Sequence, residues 1–318
     1  MPLHTRITDL LKIEHPILLA PMDLVAGGKL ASAVSQAGGL GLIGGGYGDA
    51  EWLEQEFAAA GNARVGCGFI TWSLERKPEL LDAALAHSPQ AVMLSFGDPK
   101  LFAPKIRAAG CKLICQIQTL AQAAAAVNVG ADILVAQGTE AGGHGMTRST
   151  LTLVPEVVDA FPQVPVVAAG GIADGRGLAA VLMLGAEGVL IGTRFYASQE
   201  AQVHPAAKQR VVDATGDDTA RSIVFDISRQ NIWPEGYTGR VIRNAHAERW
   251  LGREAELKEH MDEGAQRYRE AREKGDFDIA AVISGEAAGL IHDVPSAAEI
   301  VERVVREAEA LVAGGDRT

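Results

Sequence analysis

One pattern recurs along most of this chain: a short, uninterrupted apolar run, a glycine-rich or polar turn, then an amphipathic stretch. Runs such as Ile133-Leu134-Val135-Ala136 and Val164-Pro165-Val166-Val167-Ala168 are apolar at consecutive positions. That suits parallel strands covered on both faces, and not half-exposed antiparallel strands, which alternate. Eight such strands are expected, over Ile17–Ala20, Leu40–Ile43, Arg64–Ile70, Ala91–Ser95, Lys112–Ile117, Asp132–Ala136, Val164–Ala168 and Gly188–Ile191. Helical stretches such as Lys29–Ala37 and Thr119–Val129 lie between them, and several end in a glycine suited to the left-handed position past a helix end. Eight units with short connections predict a closed (β/α)8 TIM barrel. An open doubly wound sheet is the alternative, but it normally carries one phosphate fingerprint after its first strand. Here that strand runs into Ala20-Pro21-Met22-Asp23, and the glycine pairs fall late in the chain.

Beyond about His204 the rhythm is lost. The expected organisation is a barrel over 1–208, a small, mostly helical accessory segment over 209–276, and a C-terminal segment, 277–318, returning to the barrel. Within the accessory segment Arg249–Lys274 reads as a polar amphipathic run. Ser296 and Glu299 have capping-box spacing, so a closing helix is expected over Ala297–Val312.

The 318 residues, 47% apolar, suffice for one barrel-sized core. A formal net charge of −11 argues against nucleic acid and anionic membrane as partners. Met1–Pro16 is too polar for a signal peptide or anchor, and no window approaches the ~20 apolar residues of a spanning helix. Three cysteines, Cys67, Cys111 and Cys115, form no disulfide framework and suit reduced thiols in a cytoplasm. Cys111 and Cys115 could be read as a metal pair, but Cys115 lies in an apolar run without nearby His or acidic ligands, so no metal is expected.

In such a barrel the reactive groups gather at the carboxyl ends of the strands. Ala169-Gly170-Gly171-Ile172 follows the seventh expected strand and Gly192-Thr193-Arg194-Phe195 the eighth. Glycine lets backbone N–H groups approach an anion, and a helix start after each loop would add its dipole, so these turns predict a phosphate site. After the sixth strand comes Gln137-Gly138-Thr139-Glu140-Ala141-Gly142-Gly143-His144-Gly145. It puts a histidine at the barrel mouth, framed by glycines that give it little packing. A neutral imidazole there can take a proton near pH 7, although a lone histidine is more often structural. Gln116 either faces a heterocycle or is a buried amide satisfied by backbone. Pro21-Met22-Asp23 and Gly66-Cys67-Gly68-Phe69 offer small residues and a thioether to a flat ring. The sequence carries no Gly-x-Ser-x-Gly elbow, no Walker-type loop and no defensible pair of glycosidase carboxylates.

Ala20-Pro21-Met22, Ala37-Gly38-Gly39-Leu40-Gly41, Gln137 through His144, Ala169-Gly170-Gly171-Ile172-Ala173-Asp174-Gly175 and Gly192-Thr193-Arg194-Phe195 together resemble the nitronate monooxygenase (2-nitropropane dioxygenase) family. A weaker likeness continues through Trp233-Pro234-Glu235 and Gly285–Ile291. The resemblance implies noncovalent FMN. Gly170, Gly171, Gly192 and Thr193 would meet its phosphate, and Met22, Gln116, Gln137 and Gly142 would lie near its ring or ribityl chain. Ala20, Pro21, Gly68 and Gly143 complete the implied cofactor surface. His144 matches the family's histidine beside the flavin, proposed as a base toward a nitroalkane carbon. The implied chemistry is oxidation of a small-molecule nitronate with O2 to a carbonyl compound and nitrite; a homodimer is left open. Two features depart from the family pattern: Gly68 stands where many relatives carry Asn, and Gly145 precedes Met146 after the histidine. An FMN-dependent enoyl-acyl-carrier-protein reductase, an NAD(P)H:quinone reductase on the same scaffold and a non-catalytic flavin-binding barrel are the competing readings.

Overall fold

The computed structural model describes residues 3–231 and 233–314. Its strands are β1 (Ile17–Leu19), β2 (Leu42–Gly46), β3 (Gly66–Ile70), β4 (Ala91–Ser95), β5 (Lys112–Ile117), β6 (Ile133–Gln137), β7 (Gly143–Gly145), β8 (Val166–Ala169), β9 (Gly188–Ile191), β10 (Thr219–Ser222) and β11 (Thr238–Ile242). Eight of them form one parallel sheet in the order β1-β9-β8-β6-β5-β4-β3-β2. The ends of that sheet meet. Leu18 bridges Leu40, the Leu19 amide donates to the Leu40 carbonyl at 2.9 Å, and the Leu40 amide donates to the Ile17 carbonyl at 2.9 Å. The closed (β/α)8 barrel expected from the sequence is present, each of its strands within two residues of an expected end except at β2, which runs on to Gly46.

The uninterrupted apolar runs follow from two cores with one strand wall between them. Met93, Ile114, Ile133, Val135 and Val167 point inward and fill the barrel, while Val92, Leu94, Leu113, Leu134 and Ala168 point outward against the helices. With a side-chain period of two, both sets are apolar only if every position is. The polar-looking amino terminus does more than its composition indicates. Residues Arg6–Leu11 form a helix, and Ile7 and Leu11 are fully buried in the inner core.

The closing helix spans Ala297–Val312, as its spacing predicts. The Glu299 amide donates to Ser296 Oγ at 3.3 Å, and the Ser296 amide donates to Glu299 Oε2 at 3.0 Å. Its apolar face of Ile300, Val301, Val304, Val305 and Ala308 is buried against the helices Gly175–Met183 and Gly28–Gln36.

Helices Pro205–Asp213, Val224–Ser228, Ala245–Trp250, Glu254–Glu259 and Met261–Lys274 follow the barrel. Arg249–Lys274 is therefore broken into three helices where one continuous run was expected, with Leu251–Arg253 as a turn between the first two. Two strands lie among these helices that the sequence reading did not anticipate. β10 and β11 pair antiparallel with each other, and β11 pairs antiparallel with β7, in the order β10-β11-β7. Phe225, Val241, Ile242, Tyr268 and Phe277 belong to a separate apolar cluster beneath them. Among the described residues no helix is long and apolar enough to cross a membrane. The three cysteines are buried free thiols, and burial pushes Cys115 up to about 12. No group of three or more potential metal ligands occurs among the described residues.

Ser296→Ala removes the side-chain acceptor at the start of the closing helix. We expect it to destabilise the fold by about 1 kcal/mol, read as a lower urea midpoint at unchanged slope. An unchanged midpoint would mean that packing alone fixes this helix.

Candidate functional site

The carboxyl ends of the barrel strands open into a cavity of about 400 Å³. All thirteen residues singled out from the sequence line it: Ala20, Pro21, Met22, Gly68, Gln116, Gln137, Gly142, Gly143, His144, Gly170, Gly171, Gly192 and Thr193. They come from six of the barrel strand ends and from β7, so only closure of the sheet brings them together.

One wall is nearly pure backbone. Gly170 and Gly171 lie at φ +102° and +76°, a region costly for a residue with a Cβ. A Cβ on Gly170 would fall 3.0 Å from the Gly138 carbonyl oxygen and 3.1 Å from the Ala141 nitrogen. At Gly142 it would fall 2.7 Å from the Gly285 nitrogen. Three loops thus converge at a spacing that only glycine permits. Opposite them, Gly192 packs beside Ala20 and Met22. Thr193 Oγ1 accepts from the Gly285 amide at 2.9 Å, tying the cradle to the 284–285 segment and leaving the hydroxyl hydrogen free to donate outward. The helices expected behind these turns offer the cradle little dipole. The helix after β8 starts only at Gly175, whose amide donates to Glu307 Oε2 at 2.7 Å, and Asp174 Oδ1 takes the Gly177 amide at 3.1 Å. After β9 the helical turn Thr193–Tyr196 is four residues long. Any anion held here must use the turn amides themselves.

The loop from Gly138 to Gly145 is held by charge. Arg221, on β10, donates through Nε to the Thr139 carbonyl (3.0 Å) and through its other nitrogens to the carbonyls of Ala141 (3.2 Å), Gly145 (3.2 Å) and Thr238. Arg240, on β11, donates to the same Thr139 carbonyl at 3.0 Å and pairs with Glu286 at 2.8 Å. Burial, aided by the neighbouring charge of Arg240, lowers the Arg221 guanidinium to about 10. Glu140 anchors the same loop from below, accepting from the Thr150 amide (3.0 Å) and hydroxyl (2.9 Å).

Under the loop runs a chain of amides. Gln116 Nε2 (2.8 Å) and Gln118 Nε2 (2.5 Å) both donate to Gln137 Oε1, and Gln137 Nε2 donates to the His144 carbonyl at 3.2 Å. Gln122 Oε1 takes the Gln118 amide at 2.8 Å, while its Nε2 donates to the Tyr237 hydroxyl at 3.0 Å. Gln116 is thus neither satisfied by backbone nor isolated. It fixes the orientation of Gln137.

His144 sits on β7, opposite Gly239 of β11. Far from being loosely packed, its side chain is 10% exposed. Its ring stacks on Trp233 with centroids 3.4 Å apart and planes 6° from parallel, and Nε2 lies 2.9 Å from Asp226 Oδ1. Burial lowers its pKa from the ordinary histidine value, against the opposing pull of Asp226, a direction that favours the neutral ring. Trp233 also donates Nε1–H to the Tyr47 hydroxyl at 2.9 Å and makes edge contacts with Trp72, Phe96 and Tyr237. Phe96 holds φ +61°, unusual for an aromatic residue, at the end of β4.

Arg221, Arg240, Asp226 and the aromatic group around Trp233 were not assigned to the site from the sequence. Only Trp233 carried a signal, through the Trp-Pro-Glu resemblance. Arg221, Arg240 and Asp226 are surface-type residues in a charged stretch, and Tyr47, Trp72 and Phe96 come from separate barrel loops.

The family model of nitronate monooxygenase matches residues 4–65 and 73–307. A nitronate monooxygenase of Neurospora crassa is 35% identical over 93% of this chain and 90% of its own length. Among solved structures, FabK from Thermotoga maritima superposes with a TM-score of 0.87 at 33% identity, covering 98% of each chain. A nitroalkane oxidase from Streptomyces ansochromogenes superposes with a TM-score of 0.80 at 26% identity, covering 97% of this chain and 99% of the other.

Replacing Arg221 by Met keeps much of its buried volume but leaves several loop carbonyls without their donor. We expect a loss of about 2 kcal/mol and faster hydrogen exchange at the amides of 139–145. Unchanged exchange there would show that Arg240 and Glu140 hold the loop by themselves.

Proposed function

Since this chain belongs to the nitronate monooxygenase family, whose members are flavin-dependent oxidoreductases, we propose that it oxidises alkyl nitronates with O2 to a carbonyl compound and nitrite, using FMN. The observation that carries the reading is a buried imidazole facing the same cavity as a glycine-lined cradle.

The residues present fit FMN. A cavity of about 400 Å³ is within the range of cofactor sites, and the glycine turns leave room for one terminal phosphate where any Cβ would intrude. Gly170, Gly171, Gly192 and Thr193 would hold that phosphate; Met22, Gly68, Gln116, Gln137 and Gly142 would lie against the ring and ribityl chain. Gly68 itself has no room for the Asn of many relatives, because a Cβ there would fall 2.3 Å from Pro21 Cγ. When bound, FMN supplies the electron acceptor for the nitronate and passes electrons to O2.

The protein's own work is positioning and proton transfer. Gln137, fixed by Gln116 and Gln118, holds the His144 carbonyl and so the height of the imidazole over the cavity. The aromatic group of Trp233, Tyr47, Phe96 and Tyr237 limits water on the His144 side. A neutral nitroalkane must lose a carbon-bound proton before it can be oxidised, and the neutral imidazole accepts it. A nitronate, already an anion, omits that step.

The FabK likeness supports a second reading, reduction of an enoyl thioester by a pyridine nucleotide. Anaerobic mixing of the yellow protein with a nitronate and, separately, with NADH and NADPH distinguishes the two. Bleaching by the nitronate alone supports the first; bleaching by a pyridine nucleotide alone overturns it. The relatives compared are named for enzymatic activities, which speaks against a non-catalytic flavin barrel.

Denatured protein should release FMN and no FAD, as mass analysis will show. Gly171→Asp should copurify with far less FMN than Gly171→Ala, because both share the backbone strain at this φ but only the first adds a negative charge to the cradle. Full flavin occupancy in a folded Asp variant would move the phosphate elsewhere.

His144→Ala should lower kcat/KM for a neutral nitroalkane by about 10²–10⁴-fold, the usual contribution of a positioned base, and reduce turnover of the matching nitronate much less. Equal losses on both substrates would show that His144 organises the site without accepting a proton.

A further inference from the structure

Which imidazole nitrogen carries the proton decides what His144 can do, and its partner settles the matter. An ionised carboxylate can only accept, so Asp226 Oδ1, 2.9 Å from Nε2, places the hydrogen on Nε2 and leaves the lone pair on Nδ1. The stacked indole of Trp233 fixes the ring plane, and Nδ1 has no hydrogen-bond partner among the described residues. Asp226 is 6% exposed, and its second oxygen is buried with no hydrogen-bond partner among the described residues. A buried carboxylate half unsatisfied is costly, and this one sits 82 positions along the chain from the histidine it meets.

We propose that Asp226 is a positioning residue for His144: it holds the hydrogen on Nε2, aims Nδ1 at the substrate carbon, and stabilises the imidazolium formed there. The proton moves from carbon to Nδ1, and the C–H electron pair stays with the substrate as the nitronate. This deepens the oxidation proposed above and rests on it for the identity of the substrate.

The charges around the ring are few. Asp226 from the helix Val224–Ser228 favours the protonated form. Arg229, at the end of that helix, and Arg221, on β10, oppose it. Trp233 and Gly239 face the ring without charge, and β6 reaches His144 only through Gln137 and the backbone carbonyl. Among the described residues Asp226 is thus the anion whose removal should move the titration, and the direction is downward.

The test is Asp226→Asn, close in shape but uncharged, with Asp226→Glu as the charge-retaining control. For a neutral nitroalkane, the acid limb of kcat/KM against pH should move down by about 1–3 units, the usual effect of an adjacent opposite charge. Its plateau should fall by roughly 10–100-fold as the base weakens. The nitronate, which omits the proton transfer, should lose much less turnover than the nitroalkane, and the Glu variant should recover part of the limb. ¹⁵N NMR of histidine-labelled protein should show the Nε2–H tautomer for His144, with its titration shifted down in the Asn variant. An Nδ1–H tautomer, or equal losses on both substrates with the limb unmoved, overturns the proposal. If the parent protein oxidises neither substrate while NMR gives the expected tautomer and shift, the nitronate reading fails and the Asp226–His144 pairing stands. If the Asn variant does not fold, the Glu profile and the parent tautomer still decide.

Discussion

The pairing of β7 with β11 is the contact on which the site depends. Three residues of a barrel loop, Gly143-His144-Gly145, become a strand only because Thr238-Gly239-Arg240 lies alongside. A three-residue strand has little stability of its own. What holds it is the pair of guanidiniums, Arg221 and Arg240, gripping the loop's carbonyls from the same small sheet. The barrel forms the floor of the cavity, and the residues after it fix the imidazole above.

Burying that much positive charge has a cost, visible in the depressed pKa of Arg221. The charge is offset by carbonyls rather than by a matched set of carboxylates, with Glu286 on Arg240 the direct ion pair. Carbonyl acceptors leave the guanidinium geometry rigid without drawing a competing anion into the cavity. The same economy appears below the loop, where Gln116 and Gln118 both donate to Gln137 and Gln122 takes the Gln118 backbone amide, polar partners without charge. In such surroundings Asp226 and the guanidiniums of Arg229 and Arg221 set the electrostatics at the imidazole between them.

The glycine cradle and the histidine are mechanically linked. Gly170 approaches Gly138 and Ala141, and Gly142 approaches Gly285, so the cradle is built against the loop that carries His144. Glu140 joins both, since its side chain takes Thr150 and its carbonyl takes the Glu286 amide. Any displacement of one is felt by the other. This explains the glycines at 138, 142 and 170, where backbone has to meet backbone; those at 143 and 171 hold positive φ.

The barrel was legible in the sequence because its cause is local and repeated. A strand buried on both faces must be apolar at consecutive positions, and each of the eight runs says so by itself. Ser296 and Glu299 are equally local, since a capping box is a matter of spacing. The cavity-lining residues were legible for a related reason: the barrel puts every strand's carboxyl end at one mouth, so position along a strand implies position in space. What only the tertiary structure decided was the environment of His144. Asp226, Trp233, Arg221 and Arg240 lie some 77 to 96 residues further along, in a charged stretch whose spacing carries no period, and β10 (Thr-Ala-Arg-Ser) and β11 (Thr-Gly-Arg-Val-Ile) lack the unbroken apolar run that marks the barrel strands. Their alignment with β7 is a docking outcome, set by shape and by carbonyls that acquire partners only when the chain has folded back over the barrel mouth. The sequence placed a histidine at the barrel mouth, and the fold gave its Nε2 a buried carboxylate partner.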